Sequence, residues 1–199
     1  GPVSTPAIQR LADEGTLFLR QLPIKRPIGY RWLLRTMFRD DASRIEEIFP
    51  ATSLADVQPT LNRVITVGSF VATTRRTARA LAGAQSRVWL YHFSRVSPVA
   101  ERSGMGATHG AEVLYVFKTF PRWLETAADK TVSQTMHAAW LRFAETGSPN
   151  GGELPRWPPY TTDSDTHLEF GDTPKIGRNL LGKECDLFDE IDAKRRDRP

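Results

Sequence analysis

Apolar residues recur every three or four positions through the first half of the chain, which is the spacing of helices with one buried face. The pattern stops at Pro50, and Thr52 or Ser53 can cap the helix that follows. Four short helices are predicted, over residues 30–38, 42–49, 54–65 and 73–84. They share no repeat length, so the pattern favours a helical layer or cap over a repeat array.

The pattern changes at Val88, where six residues are apolar on both alternating faces and rich in aromatic side chains. Such a run is typical of a strand covered on both sides in a parallel sheet. Residues 5–12 predict a strand end or an extended entry segment, and residues 166–170 alternate like a short edge strand. On these strands, His92 is predicted to be a structural histidine and His167 to lie on the exposed face.

The rest of the second half alternates between loops and helices. A glycine-rich loop follows Pro98, and a long helix is predicted over residues 131–146, ending at Gly147. His137 lies off the apolar stripe of that helix and is predicted to be solvated. Residues 149–159 are expected to be a proline-rich surface segment, and residues 181–191 a last helix.

Composition narrows the class of protein. The chain has 199 residues, 40% hydrophobic and 25% charged, which excludes a collagen, a coiled coil or a fully disordered chain. No apolar run approaches the ~20 residues of a membrane span, and the first residues do not have the pattern of a signal peptide. Cys185 is the single cysteine, so neither an intrachain disulfide nor a cysteine metal site is possible. Cysteine usage leaves the compartment open, with a slight preference for the cytoplasm.

The basic charge does not indicate a nucleic-acid partner. The net charge is +4, but the cations are scattered or stand next to acids. The sequence contains no basic stripe with interleaved aromatic residues, and no zinc-finger or helix-turn-helix spacing. The dense basic run over residues 194–198 is expected to be a frayed, solvated tail.

Two segments could carry chemistry. Asp13 and Glu14 form a carboxylate pair before Gly15 at a predicted strand end, where open α/β sheets mount functional groups. His109 lies between Gly106 and Gly110 on a loop behind the buried strand, and a histidine can transfer protons near pH 7. An acid followed by a histidine is the chain order of the last two triad members in α/β-hydrolases.

An ordered set of motifs resembles the C-terminal part of the type-B carboxylesterases, the family of cholinesterases and bacterial para-nitrobenzyl esterases. The matching segments occur in the family's order over residues 12–18, 106–112, 115–117, 139–150, 157–160 and 183–188. The resemblance therefore implies an α/β fold, the C-terminal portion of an α/β-hydrolase domain over residues 1–192, with residues 193–199 as a basic tail.

The resemblance also implies roles for particular residues. Glu14 matches the triad acid, and His109 matches the triad histidine, which acts as general base and then as general acid. Glu112 matches a position that supports the histidine loop, and Leu17 and Phe18 match residues that line the substrate pocket. For the last two, plain core packing is an equal alternative. The implied reaction is carboxylic-ester hydrolysis with no metal or organic cofactor.

The sequence also departs from the family's pattern. The residues before the acid are Ile8-Gln9-Arg10-Leu11 instead of a glycine-containing run; Lys118 stands where glycine is common, and Ser148 where aspartate is frequent. The sequence contains no Gly-x-Ser-x-Gly nucleophile elbow and no His-Gly-Gly-Gly oxyanion loop. The chain is therefore expected to hold two members of a triad and to need a companion polypeptide, or an unseen segment, that carries the elbow.

Three interpretations remain open from the sequence. The chain supplies the acid and the base of a serine esterase; or it is a catalytically inactive, cholinesterase-like module that binds a partner; or it is a truncated fragment with no activity of its own. Glu14 and His109 favour the first interpretation, since a binding module needs neither. In the isolated chain, no ester hydrolysis is expected, because the serine is missing.

Overall fold

The computed structural model describes residues 7–11, 24–84 and 87–197. Strands and helices alternate in an order typical of α/β proteins. The strands are β1 (Ala7–Leu11), β2 (Trp89–Phe93), β3 (Thr166–Phe170) and β4 (Pro174–Arg178). The helices are α1 (Pro27–Phe38), α2 (Ala42–Ile48), α3 (Leu54–Ile65), α4 (Ala72–Gly83), α5 (Pro98–Arg102), α6 (Ala111–Val116), α7 (Ala127–Thr146) and α8 (Gly182–Arg196).

The four strands form one sheet in the order β1-β2-β3-β4. β1, β2 and β3 are parallel, and β4 pairs antiparallel with β3. The buried central strand predicted at residues 88–93 is confirmed. The prediction that residues 166–170 form an edge strand is wrong, because β3 lies between β2 and β4.

Helices cover both faces of the sheet. Trp89, Tyr91 and Phe93 on one face of β2 pack in a cluster with α6 and α7. Val88 and Leu90 on the other face pack against α4. The alternating faces of β2 are therefore both buried, which explains why its sequence is apolar at every position except His92.

The segment after α7 contributes to the core rather than to the surface. Trp157 is buried, and its indole Nε1–H donates to the Leu90 carbonyl oxygen at 3.2 Å. Asn150 receives a hydrogen bond from the Trp157 amide and donates one to the Trp157 carbonyl, at 2.7 and 2.8 Å. Residues 149–159 were expected to form a proline-rich surface segment, and this expectation is wrong at Trp157, which is buried.

The helices α1 to α4 form the predicted helical layer, with one difference. Of the two predicted caps of α3, Thr52 or Ser53, the structure uses Ser53, which forms a reciprocal pair of hydrogen bonds with Asp56. α3 and α4 are not separate helices, because a π-helical segment, Thr66–Val71, joins them without a break. None of the helices in the described part of the chain has the length and apolarity needed to cross a membrane.

The last helix, α8, ends at Arg196, five residues beyond its predicted end. The first three residues of the basic run, 194–196, are therefore helical, and the prediction of a frayed tail is wrong for them. The Lys194 ammonium lies 2.9 Å from the Asp41 carboxylate. Arg195 donates to the Met37 carbonyl oxygen at 2.6 Å. These contacts join the end of α8 to the first helices of the layer.

Candidate active site

His109 lies in a tight turn at the start of α6. The Ala111 amide donates to the Thr108 carbonyl oxygen at 3.0 Å, which closes a four-residue turn with His109 at its second position. Gly110, at the third position, has φ 81° and ψ −2°, the values of a type II turn. Only glycine adopts this conformation without strain. The local sequence therefore places the His109 side chain on an exposed turn in front of a helix.

A cleft of about 470 Å³ opens beside His109. The loop 104–110, the helix α6 and the segment that follows α6 form its walls. Most of the lining is apolar, supplied by Val99, Met105, Leu114, Phe120, Pro121 and Leu124. A polar group at the rim of a mostly apolar cleft of this size is typical of a site for a small molecule.

Phe70 contacts His109 from the helical layer. The two ring centroids are 5.7 Å apart, with an interplanar angle of 37°. Phe70 belongs to the π-helical segment and is half-buried. The contact links the helical layer to the loop that carries the histidine, and sequence reasoning did not foresee it.

A buried ion pair supports the inner wall of the cleft. Arg95 donates through Nε to the Asp129 carboxylate at 2.8 Å, and its other nitrogens reach Thr126 and Asp172. The Tyr115 hydroxyl donates to the same Asp129 oxygen, also at 2.8 Å. Asp129 therefore joins α6, α7 and the loop after β2, and two of its partners, Arg95 and Tyr115, line the cleft.

The environment of Asp129 favours its ionised form. Burial alone would raise the pKa of this carboxyl, but the hydrogen bonds from Arg95 and Thr126 outweigh burial and lower the pKa. Burial and the bond to Asp129 raise the pKa of the Tyr115 hydroxyl. The two groups are therefore a fixed carboxylate and a neutral phenol across the ordinary pH range.

α7 fixes the end of α6 through two further bonds. Ser133 donates to the Tyr115 carbonyl oxygen at 2.9 Å, and the His137 Nδ1–H donates to the Val116 carbonyl oxygen at 2.8 Å. The prediction that His137 is solvated is therefore wrong. The helix that begins beside His109 is held at its far end by the longest helix of the chain.

The other predicted site residues fall in two groups. Glu14, Leu17 and Phe18 lie outside the described residues, so their predicted roles as acid and pocket residues stay predictions. Glu112 is described and buried, in the first turn of α6, three residues after His109. Its supporting role also stays a prediction.

His92 and His167 belong to the sheet instead of to the cleft. Their rings lie 6.1 Å apart, edge to face, and both side chains are buried. The prediction that His167 is exposed is wrong, because its ring packs over Gly177 on β4. The structural assignment of His92 agrees with its burial in the sheet.

Sequence reasoning missed the Arg95–Asp129 pair, because its partners are 34 residues apart. A partial signal was present, since Thr126 and Asp129 have the spacing of a capping box, and both bonds of the box form. That signal predicts the start of a helix but not a buried arginine. In the described part of the chain, no three His, Cys, Asp or Glu side chains cluster closely enough to hold a metal ion.

Comparison with known proteins identifies the family. The model of the carboxylesterase family matches residues 41–188. The chain belongs to the carboxylesterase family. Its sheet and helices are therefore part of an α/β-hydrolase fold, and the family's activity is the hydrolysis of carboxylic esters.

The curated relatives are longer than this chain. It is 31% identical over 179 residues to a fumonisin B1 esterase of Sphingopyxis macrogoltabida, a match that covers 85% of the chain and 32% of that protein. It is 34% identical to carboxylesterase 4A of Bos taurus and 36% identical to acetylcholinesterase of Gallus gallus. Those matches cover 55% and 50% of the chain, and 20% and 14% of the relatives. The chain thus spans about a third or less of these relatives.

Proposed function

We propose that this chain supplies the acid–base pair of a serine-dependent carboxylic-ester hydrolase. The observation that carries the proposal is the position of His109, exposed on a fixed turn at the rim of an apolar cleft in a member of the carboxylesterase family. An exposed imidazole on a rigid support can reach a serine that another segment contributes.

The proposed chemistry follows the serine-hydrolase pattern. His109 takes the serine proton as the serine oxygen attacks the ester carbonyl carbon, and it returns that proton to the departing alcohol. A water molecule then attacks the acyl-enzyme, with His109 again as base, and releases the acid. In this proposal Glu14 fixes the tautomer of His109 and stabilises the imidazolium, while Glu112 supports the turn. Leu17 and Phe18 extend the apolar pocket.

The nucleophile must come from outside these residues, because the sequence contains no Gly-x-Ser-x-Gly elbow. The segment that bears it belongs either to a longer protein that includes this chain or to a companion polypeptide. Exposed apolar side chains of α6 and of the segment after it suit such a partner segment: Phe117 is 67% exposed and Trp123 is 85% exposed, and Leu124 lines the cleft.

The same exposed surface also favours the second candidate, a catalytically inactive module that binds a partner. The two candidates differ in what they require of His109. A binding module would keep its partner when the imidazole is removed, and it would never hydrolyse an ester.

The test is turnover of para-nitrophenyl butyrate in the assembly that contains the elbow. His109→Ala should lower turnover by at least ~10³-fold, because the serine then has no base. His167→Ala is the control: it removes a histidine of the sheet that does not line the cleft, and its turnover should stay near the wild-type value once folding is verified. Equal losses in both variants, or unchanged turnover in His109→Ala, would refute the assignment of His109 as the base.

A further inference from the structure

In the described part of the chain, the ring of Phe70 contacts the ring of His109. A centroid distance of 5.7 Å lies within the range of a packed aromatic pair. His109 is exposed and stands on a turn that fixes its backbone, so the contacts of the side chain decide how the imidazole is oriented. A neighbouring ring is the kind of contact that selects one orientation of such an imidazole.

The π-helical segment explains why Phe70 reaches the loop. Between α3 and α4 the hydrogen bonds run from residue i to i+5, which places an additional residue in the turn. Val67 and Val71 of this segment are buried in the helical cluster, whereas Ser69 is exposed and Phe70 is half-buried. The segment thus keeps its valines in the core and directs Phe70 toward the edge of the helical layer.

The segment is supported from behind by α8. A Cβ atom on Gly68 would lie 2.7 Å from the nearest ring carbon of Phe188, so the backbone of the segment approaches the Phe188 ring directly. Phe188 itself is buried and packs against Phe38 and Phe49. Phe70 therefore stands on a part of the backbone that is tightly packed.

We propose that Phe70 is a positioning residue for His109: its ring restricts the imidazole to the orientations that serve the reaction. The catalytic meaning of this contact rests on the proposed function, but the contact itself does not. Phe70 acts through His109 and takes no part in bond making. A small loss of alignment is enough to slow a proton transfer, because the reacting atoms must lie at hydrogen-bond distance.

The experiment compares Phe70→Leu with Phe70→Tyr in the assembly that turns over ester, with histidine labelled for NMR. Phe70→Leu removes the ring, so the His109 ring protons should lose their ring-current shift, and kcat should fall about tenfold with little change in KM. Phe70→Tyr keeps the ring and should restore both. Phe143→Leu changes a half-buried phenylalanine of α7 that does not line the cleft, and it should alter neither measurement.

The NMR shift of His109 and the kinetic constants test the proposal separately. Identical His109 shifts in the wild type and in Phe70→Leu would overturn the ring contact and with it the proposal. A rise in KM with unchanged kcat would also overturn it, because Phe70 would then be a wall of the pocket. Absence of turnover in the wild-type assembly, with the ring-current shift present, would refute the proposed function and leave the contact in place.

Discussion

At the scale of single residues, Asp129 is the group that joins the elements around the cleft. Its carboxylate receives hydrogen bonds from Arg95, Tyr115 and Thr126, and its side chain is fully buried. A buried charge of this kind depends on its partners, because the protein interior cannot solvate it as water does. The stability of the cleft therefore depends on this residue.

We expect Asp129→Asn to lower the free energy of unfolding by about 3–5 kcal/mol, since it leaves the buried Arg95 guanidinium without its main counter-ion. Asp172→Asn is the matched control, because Asp172 pairs with the same arginine but its side chain is 77% exposed. That change should cost less than about 1 kcal/mol. Urea denaturation of both variants measures the difference, and equal losses would contradict this account of the pair.

The same carboxylate should make stability depend on pH. The pKa of Asp129 is lowered in the folded chain, whereas an unfolded aspartate has a pKa of about 4. The stabilisation is therefore present above about pH 4 and is lost as the pH falls through the folded pKa. The difference in unfolding free energy between the wild type and Asp129→Asn should be largest near neutral pH and shrink in acid. A difference that stays constant into strong acid would refute this assignment.

Residue-scale prediction from the sequence succeeded where the signal was local. The glycines around His109 predict a loop, and His109 lies on one, in a turn where Gly110 adopts a positive φ at no cost. His167 was placed wrongly because the alternation of its strand does not reveal that its ring packs beside His92 and over Gly177 of the next strand. The contact between Phe70 and His109 joins residues that are far apart in the chain, and no local pattern predicts it.

At the scale of elements, the π-helical segment determines how α3 and α4 meet α8. Gly68 allows the close approach to Phe188, so we expect Gly68→Ala to lower the free energy of unfolding by about 1–3 kcal/mol through overpacking. Gly83→Ala is the control in the same helical run, because no heavy atom lies within 4 Å of its added Cβ. It should be neutral or stabilise by about 0.4–1 kcal/mol. Thermal unfolding of both variants measures the difference. A Gly68→Ala variant as stable as Gly83→Ala would contradict the close packing of Gly68 against Phe188.

The helices were predicted well because their signals lie within the elements. The spacing of apolar residues in α1 and the cap at Ser53 are local, and both appear in the structure. The joining of α3 to α4 was missed, since Thr66–Val71 carries no pattern that separates a π turn from a break. The burial of Trp157 was missed for a related reason. The prolines of a segment predict an irregular backbone, but they do not predict where an aromatic side chain of that segment packs.

At the scale of the whole molecule, the described residues form a sheet with helices on both faces and a cleft at one side, and they span about a third or less of the curated relatives. Family membership and the α/β class followed from motifs in the right order. The serine partner of His109 could not be read in the same way, because the sequence contains no Gly-x-Ser-x-Gly elbow. Under the proposed function, the segment that becomes acylated is the one that carries the elbow.

Intact-mass analysis after treatment with a fluorophosphonate tests this claim most directly. The isolated 199-residue chain should gain no adduct, because its sequence contains neither a Gly-x-Ser-x-Gly elbow nor a His-Gly-Gly-Gly oxyanion loop. In the assembly that contains the elbow, the adduct should form on the elbow serine, and His109→Ala should slow its formation by at least ~10³-fold. An adduct on this chain alone, mapped to Ser69, Ser94 or Ser103, would contradict the account, because the chain would then carry its own nucleophile.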